Sequence, residues 1–158
     1  MEGDRMKIVL IYDSVSSSKL TAKVSEVIAN TLRAQGLEVT SAPVGDAKHI
    51  DLRDFDALLI GSPTMAWAPT KATKEFLDGL RGKQFSGKKA GSFDTQIRSF
   101  ISGNANKAME KALKDLGFSI AVPHLQSYVE SHNKVYRLVD GELDRAAKWA
   151  KELAEALS

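Results

Sequence analysis

Met6-Lys7-Ile8-Val9-Leu10-Ile11-Tyr12 is a nearly unbroken apolar run close to the start of a 158-residue chain. A strand with one face in water alternates apolar and polar side chains. A run without alternation marks a strand covered on both faces, as in a parallel sheet between two helical layers. The polar stretch Asp13-Ser14-Val15-Ser16-Ser17-Ser18 follows, with Ser18 placed to cap a helix. Leu20, Val24, Val27, Ile28 and Leu32 then recur at helical spacing, and Gly36 ends that helix.

The same alternation continues along the chain. Residues 37–42 read as a second strand and 49–55 as a connector with one helical turn. Residues 57–60 form a third strand that stops at Gly61-Ser62-Pro63. A loop runs to Pro69, and residues 70–80 present Ala72, Phe76, Leu77 and Leu80 as a helix. Residues 90–93 are a fourth strand, 94–102 a loop. Ala105, Ala108, Met109, Ala112, Leu113 and Leu116 form an amphipathic helix closed by Gly117. Residues 118–122 begin a fifth strand. Pro123 interrupts it, the mark of an edge or split strand, and 126–130 resume it. Asp140 is placed to cap a last helix carrying Leu143, Ala146, Ala147, Ala150, Leu153 and Leu157. The pattern predicts one α/β domain over 1–158, a three-layer doubly wound sandwich, with 1–5 as a flexible extension.

Composition narrows the function. The chain is 43% hydrophobic and 27% charged, with a net charge of +2. That excess is too small, and too scattered, for a nucleic-acid-binding surface. With no Cys, thiolate chemistry and Cys-ligated metals are excluded, and His49, His124 and His132 lack metal-ligand spacing, so no metal is expected. The N-terminus has no signal-peptide core and the apolar runs are too short to span a membrane. The expectation is a soluble, cytoplasmic protein without a membrane partner.

Ligands of such sheets bind beyond the carboxyl ends of the strands, at the point where strand order reverses. The loops to read are therefore those after strands one, three and four. The first offers Ser14, Ser16, Ser17 and Ser18 and then opens a helix. Hydroxyls and free N–H groups at a helix start suit a phosphate, although a plain serine cap would look the same. The second, Gly61-Ser62-Pro63-Thr64-Met65-Ala66-Trp67-Ala68-Pro69, is stiffened by proline and carries a large aromatic ring suited to a flat apolar ligand. Folding of Trp67 onto the domain, or into a subunit interface, is the alternative. The third, Asp94-Thr95-Gln96-Ile97-Arg98-Ser99-Phe100, could hydrogen-bond the polar edge of a heterocycle, and Arg98 could meet an anion or be a solvated charge.

Several chemistries fail at these loops. There is no GxxxxGK[ST] and no GxGxxG after the first strand, which counts against triphosphates and a Rossmann dinucleotide site. The third strand ends Leu59-Ile60-Gly61-Ser62, without the phosphoacceptor Asp of a receiver domain. No GxSxG elbow occurs. No catalytic residue is named.

In these three loops the sequence resembles the flavodoxin-like family, from Met6 to Leu157. Lys7-Ile8-Val9-Leu10-Ile11-Tyr12-Asp13-Ser14 resembles its first strand and phosphate-loop entry. Leu59-Ile60-Gly61-Ser62-Pro63-Thr64 is similar to its G-S-P-T segment, the most specific match. Gly91-Ser92-Phe93-Asp94-Thr95 resembles its third loop. The resemblance implies a five-stranded parallel sheet of order 2-1-3-4-5 and bound FMN. It implies that Ser14, Val15, Ser16, Ser17, Ser18 and Lys19 cradle the phosphate. Ser62, Pro63, Thr64, Met65, Ala66 and Trp67 would line one side of the ring, and Asp94, Thr95, Gln96 and Arg98 the pyrimidine end and other side. The family's phosphate loop reads T-x-T-G-x-T; here Ser17 stands at the Gly and Lys19 at the last Thr.

Three functions follow as expectations. The first is a flavodoxin-type carrier of electrons on non-covalent FMN, with a redox partner protein or small-molecule donor or acceptor. The second is an FMN-dependent NAD(P)H:quinone-type reductase. The third is a binding module of the same fold without cofactor. Electron-carrier flavodoxins are typically acidic, so a net positive chain leaves room for an acidic partner or a reductase. Monomer and homodimer both remain open.

Overall fold

The structure, a computed structural model, describes residues 5–15, 19–65, 67–97 and 104–158. Strand β1 (Lys7–Tyr12) lies between β2 (Glu38–Pro43) and β3 (Ala57–Pro63), parallel to both. Next to β3 runs β4 (Lys89–Ile97), also parallel. The fifth strand is split, as Pro123 predicts: β5 (Ser119–Ile120) and β6 (Leu125–His132) both pair parallel with β4. The break leaves the Pro123 carbonyl without a strand partner, and it accepts a 2.8 Å hydrogen bond from the Trp149 indole N–H. Beyond the expected sheet lies β7 (Val135–Leu138), antiparallel to β6, giving the order β2-β1-β3-β4-β6-β7. The turn into β7 uses Asn133 and Lys134 at φ 51° and 66°, the geometry of a two-residue hairpin turn.

Helices α1 (Leu20–Ala34) and α4 (Glu142–Leu157) cover one face, α2 (Lys71–Asp78) and α3 (Ala105–Asp115) the other. The unbroken apolar run of β1 is thereby explained. Ile8 and Leu10 pack with Val24, Ile28, Trp149 and Leu153 on the first face. Val9 and Ile11 pack with Leu77, Phe85, Met109 and Leu113 on the second. Each fully buried Leu or Ile contributes roughly 1.5–3 kcal/mol of transfer free energy, so two such layers hold the sheet between them.

Among the boundaries that differ from the sequence reading, four bear on the site and its helices. β3 continues through Gly61-Ser62-Pro63, and β4 continues through Asp94-Thr95-Gln96-Ile97, where a loop was expected. The reason is a partner strand: Asp94, Thr95, Gln96 and Ile97 sit in register with Gln126, Ser127, Tyr128 and Val129 of β6. The cap residue of α1 is Lys19 rather than Ser18, and that of α4 is Gly141 rather than Asp140; neither helix has a side-chain cap. Gly141 takes φ 90°, a conformation Asp140 could adopt only with strain.

Candidate functional site

β1, β3 and β4 end side by side, and strand order reverses between β1 and β3. The chain leaves β1 at Asp13, whose N–H donates to the Gly61 carbonyl (3.0 Å) and whose carboxylate accepts from the Thr70 hydroxyl (2.6 Å). Ser14 follows, with its Oγ buried and without a hydrogen-bond partner. Lys19 starts α1 in the left-handed region, φ 50° and ψ 46°. Ser16, Ser17 and Ser18 lie outside the described residues.

After β3 the side chains divide into two sets. Ser62 and Thr64 face inward. The Ser62 hydroxyl donates to the Pro63 carbonyl (2.9 Å) and accepts from the Thr70 N–H (3.0 Å). The Thr64 hydroxyl donates to Asp94 Oδ2 (2.7 Å) and accepts from the Ala105 N–H (2.9 Å), so one residue joins β3, β4 and the start of α3. Met65 and Trp67 face outward. The backbones of Met65 and Ala68 exchange two hydrogen bonds, and the tight loop they close holds Trp67 at φ 67°. A bulky residue in the left-handed region costs about 1–2 kcal/mol, and such strain gathers at working loops. Pro63 is half-buried between the two sets, and Ala66 lies outside the described residues.

On β4 the expected edge-binding groups are turned into the protein. Thr95 Oγ1 lies 2.8 Å from Thr21 Oγ1, tying the sheet to the first turn of α1. Gln96 Nε2 donates to Asp94 Oδ2 (2.8 Å). Burial raises the Asp94 carboxyl from 3.8 to about 6, against the hydrogen bonds from Thr64, Gln96 and the Ser127 N–H and the nearby His124, all of which favour the ionised form. Arg98 lies outside the described residues. Thr64→Val is expected to cost roughly 2 kcal/mol, because it strips one partner each from a buried carboxylate and a helix N–H. Urea unfolding checks this, and Thr64→Ser, which keeps both hydrogen bonds, should avoid most of the loss.

Among the described residues the centre of this end is apolar. Val15 (56% exposed), Met65 (52%), Trp67 (62%) and Ile97 (51%) are four large hydrophobic side chains contributed by the ends of β1, β3 and β4. Ile97 was missed in the sequence because residues 94–102 were read as loop. Its place in the period-two series Phe93, Thr95, Ile97 was the available signal. Asp13, Thr21 and Thr70 were missed as well; they brace the loops from below.

No protein-family model matches the sequence. Solved structures do. A flavodoxin from Bacillus cereus superposes with a TM-score of 0.80 at 20% identity, over 96% of this chain and 99% of that one. A flavodoxin from the domain Archaea gives 0.76 at 20% identity, over 96% and 99%. A flavodiiron core from Synechocystis gives 0.78 at 20% identity, over 99% of this chain and 37% of that one. The fold is flavodoxin-like. Among the described residues no helix is long and apolar enough to cross a membrane.

Proposed function

We propose that this chain of flavodoxin-like fold binds FMN non-covalently beyond β1, β3 and β4 and acts as a flavodoxin-type electron carrier. One observation carries the reading. A buried, unpartnered Ser14 hydroxyl stands beside four exposed apolar side chains at the strand-order reversal. A hydroxyl in that state costs about 1–3 kcal/mol unless a ligand completes it. The residues present fit FMN in kind: hydroxyls, backbone N–H groups and a cation for a phosphate, and flat apolar cover for a ring.

In this reading Ser14, with Val15, Ser16, Ser17, Ser18 and Lys19, holds the phosphate at the start of α1, where the helix dipole favours an anion. Trp67, with Pro63, Met65 and Ala66, covers one side of the ring. Ile97 and Arg98 close the other. Ser62, Thr64, Asp94, Thr95 and Gln96 act from beneath: their hydrogen bonds to one another and to Thr70 and Thr21 fix the two loops so that the cover keeps its spacing. FMN, when bound, supplies the electron-accepting and electron-donating chemistry. The chain holds it, excludes water from its apolar faces and sets the charge around it.

The test is optical. Added FMN should saturate one site per chain and quench tryptophan emission, that of exposed Trp67 by direct contact with the ring. Trp67→Phe should reduce the quenched amplitude and weaken FMN binding. Ser14→Ala should weaken FMN by about tenfold or more, the worth of one hydrogen bond to a charged group. No saturable change with FMN would overturn the reading and leave a cofactor-free module. The reductase alternative draws on the openness of Trp67, which leaves room for a second planar molecule. Steady NAD(P)H consumption with a quinone, and no added reductase, would select it.

A further inference from the structure

We infer that the lysines ringing the open end of β1, β3 and β4 form a docking surface for an acidic protein partner. The inference rests on the reading of this end as the working site. Lys19 caps α1 and Lys23 lies in its first turn, Lys71 and Lys74 lie in the first turn of α2, and Lys107 in that of α3. All five are exposed. None of these three helices carries an acidic residue in its first turn. Helix N-termini are positive, so a lysine there is unfavourable and an Asp or Glu favourable. Three neighbouring helices break that rule together. α4, whose start lies beside the outer β6–β7 hairpin, obeys it with Glu142 and Asp144.

The two carboxylates at the ends of β1 and β4 make no ion pair with the ring among the described residues and are outnumbered by its five lysines. Asp13 is bound by Thr70, and Asp94 is buried beneath Thr64 and Gln96. Among the described residues Lys71 alone of the five has an ion pair, a 3.8 Å contact with Glu75 in which both groups are largely solvated. An apolar centre inside a cationic rim suits a partner with an apolar spot rimmed by Asp and Glu. Complementary charge of this kind speeds encounter and fixes orientation more than it tightens the complex.

Poly-L-glutamate is the probe, added to the ¹⁵N-labelled full chain and followed by amide shifts. The expected result is that shifts concentrate at 19–23, 71–74, 107 and the Trp67 indole, and fade as salt is raised. The double variant Lys74→Glu/Lys107→Glu, outside the proposed FMN cradle, should weaken binding roughly tenfold, two reversed charges removing most of the attraction. Its FMN titration should match the parent's. Shifts spread equally over Lys83, Lys89 and Lys114 at the opposite end of the sheet, or binding untouched by the charge reversal, would overturn the inference. No FMN binding by the parent chain, with the localised shifts intact, would instead sink the flavin reading and leave the docking surface standing.

Discussion

Gly61→Ala is expected to destabilise the fold by roughly 3 kcal/mol, the upper part of the range for overpacking a core. The Gly61 backbone needs no special conformation; the space is what forbids a side chain. A Cβ there would lie 2.2 Å from both Cε2 and Cζ of Phe93. Phe93 cannot step aside cheaply, being fully buried with its ring 6.2 Å from that of Trp149 in a tilted pair. Gly61 also accepts the Asp13 N–H, so a shifted β3 displaces the first loop with it. Urea midpoints measured at constant slope would report the loss. Phe93→Leu should recover part of it in the double variant, with a coupling of about 1 kcal/mol or more between contacting sites. A loss below about 1 kcal/mol for Gly61→Ala, well short of the overpacking range, would mean the β3–β4 packing is not as described.

The second large effect belongs to Asp94. Its carboxyl titrates at about 6 in the folded chain and near 3.8 when free. Below 3.8 both states are protonated and burial carries no charge penalty. Between 3.8 and about 6 the unfolded chain has released the proton and the folded chain keeps it, so stability falls as pH rises. Above that window the penalty is complete, roughly 3 kcal/mol. Asp94→Asn removes the charge and keeps an acceptor for Thr64. It should flatten the slope between pH 4 and 6 and raise stability at pH 8 by about 1–2 kcal/mol, part of the penalty being offset by weaker hydrogen bonds. At pH 4 the two proteins should nearly coincide. A variant less stable than the parent at pH 8, with the slope unchanged, would contradict this account of the buried carboxylate.

The framework was legible where the physics is local. Apolar residues on both sides of β1, the 3.6-residue spacing in α1 and α3, and the missing N–H of Pro123 are each read from neighbours in sequence. The strand extensions were not. Ser62, Asp94, Thr95 and Gln96 read as loop because they are polar. They are buried because Thr70, Thr64, Thr21 and one another satisfy them across 2 to 74 residues of separation. Only the pairing of Ser62 with Asp94, and of β4 with β6, shows that their backbones continue the sheet. β7 escaped for a related reason: Asn133-Lys134 turns without the glycine that usually announces such a hairpin.

The candidate site follows the same division. Trp67 and the serine loop stood out in the sequence, since a large ring and repeated hydroxyls are informative by type. Which groups bind and which brace could not be read from type. Thr64, Thr95 and Gln96 have the chemistry to hold a ligand's edge, and their side chains are bonded to the protein instead. Ile97 has no distinctive chemistry, and only its position makes it part of the open patch.

The central claim is that this end of the sheet holds a flavin through its phosphate. Calorimetric titration of the full chain with FMN and, separately, with riboflavin isolates that one group. The account predicts FMN tighter by about two orders of magnitude, the worth of several charge-assisted hydrogen bonds from Ser14 and the start of α1, with the difference shrinking in Ser14→Ala. Equal affinities, or heat from neither ligand, would contradict it.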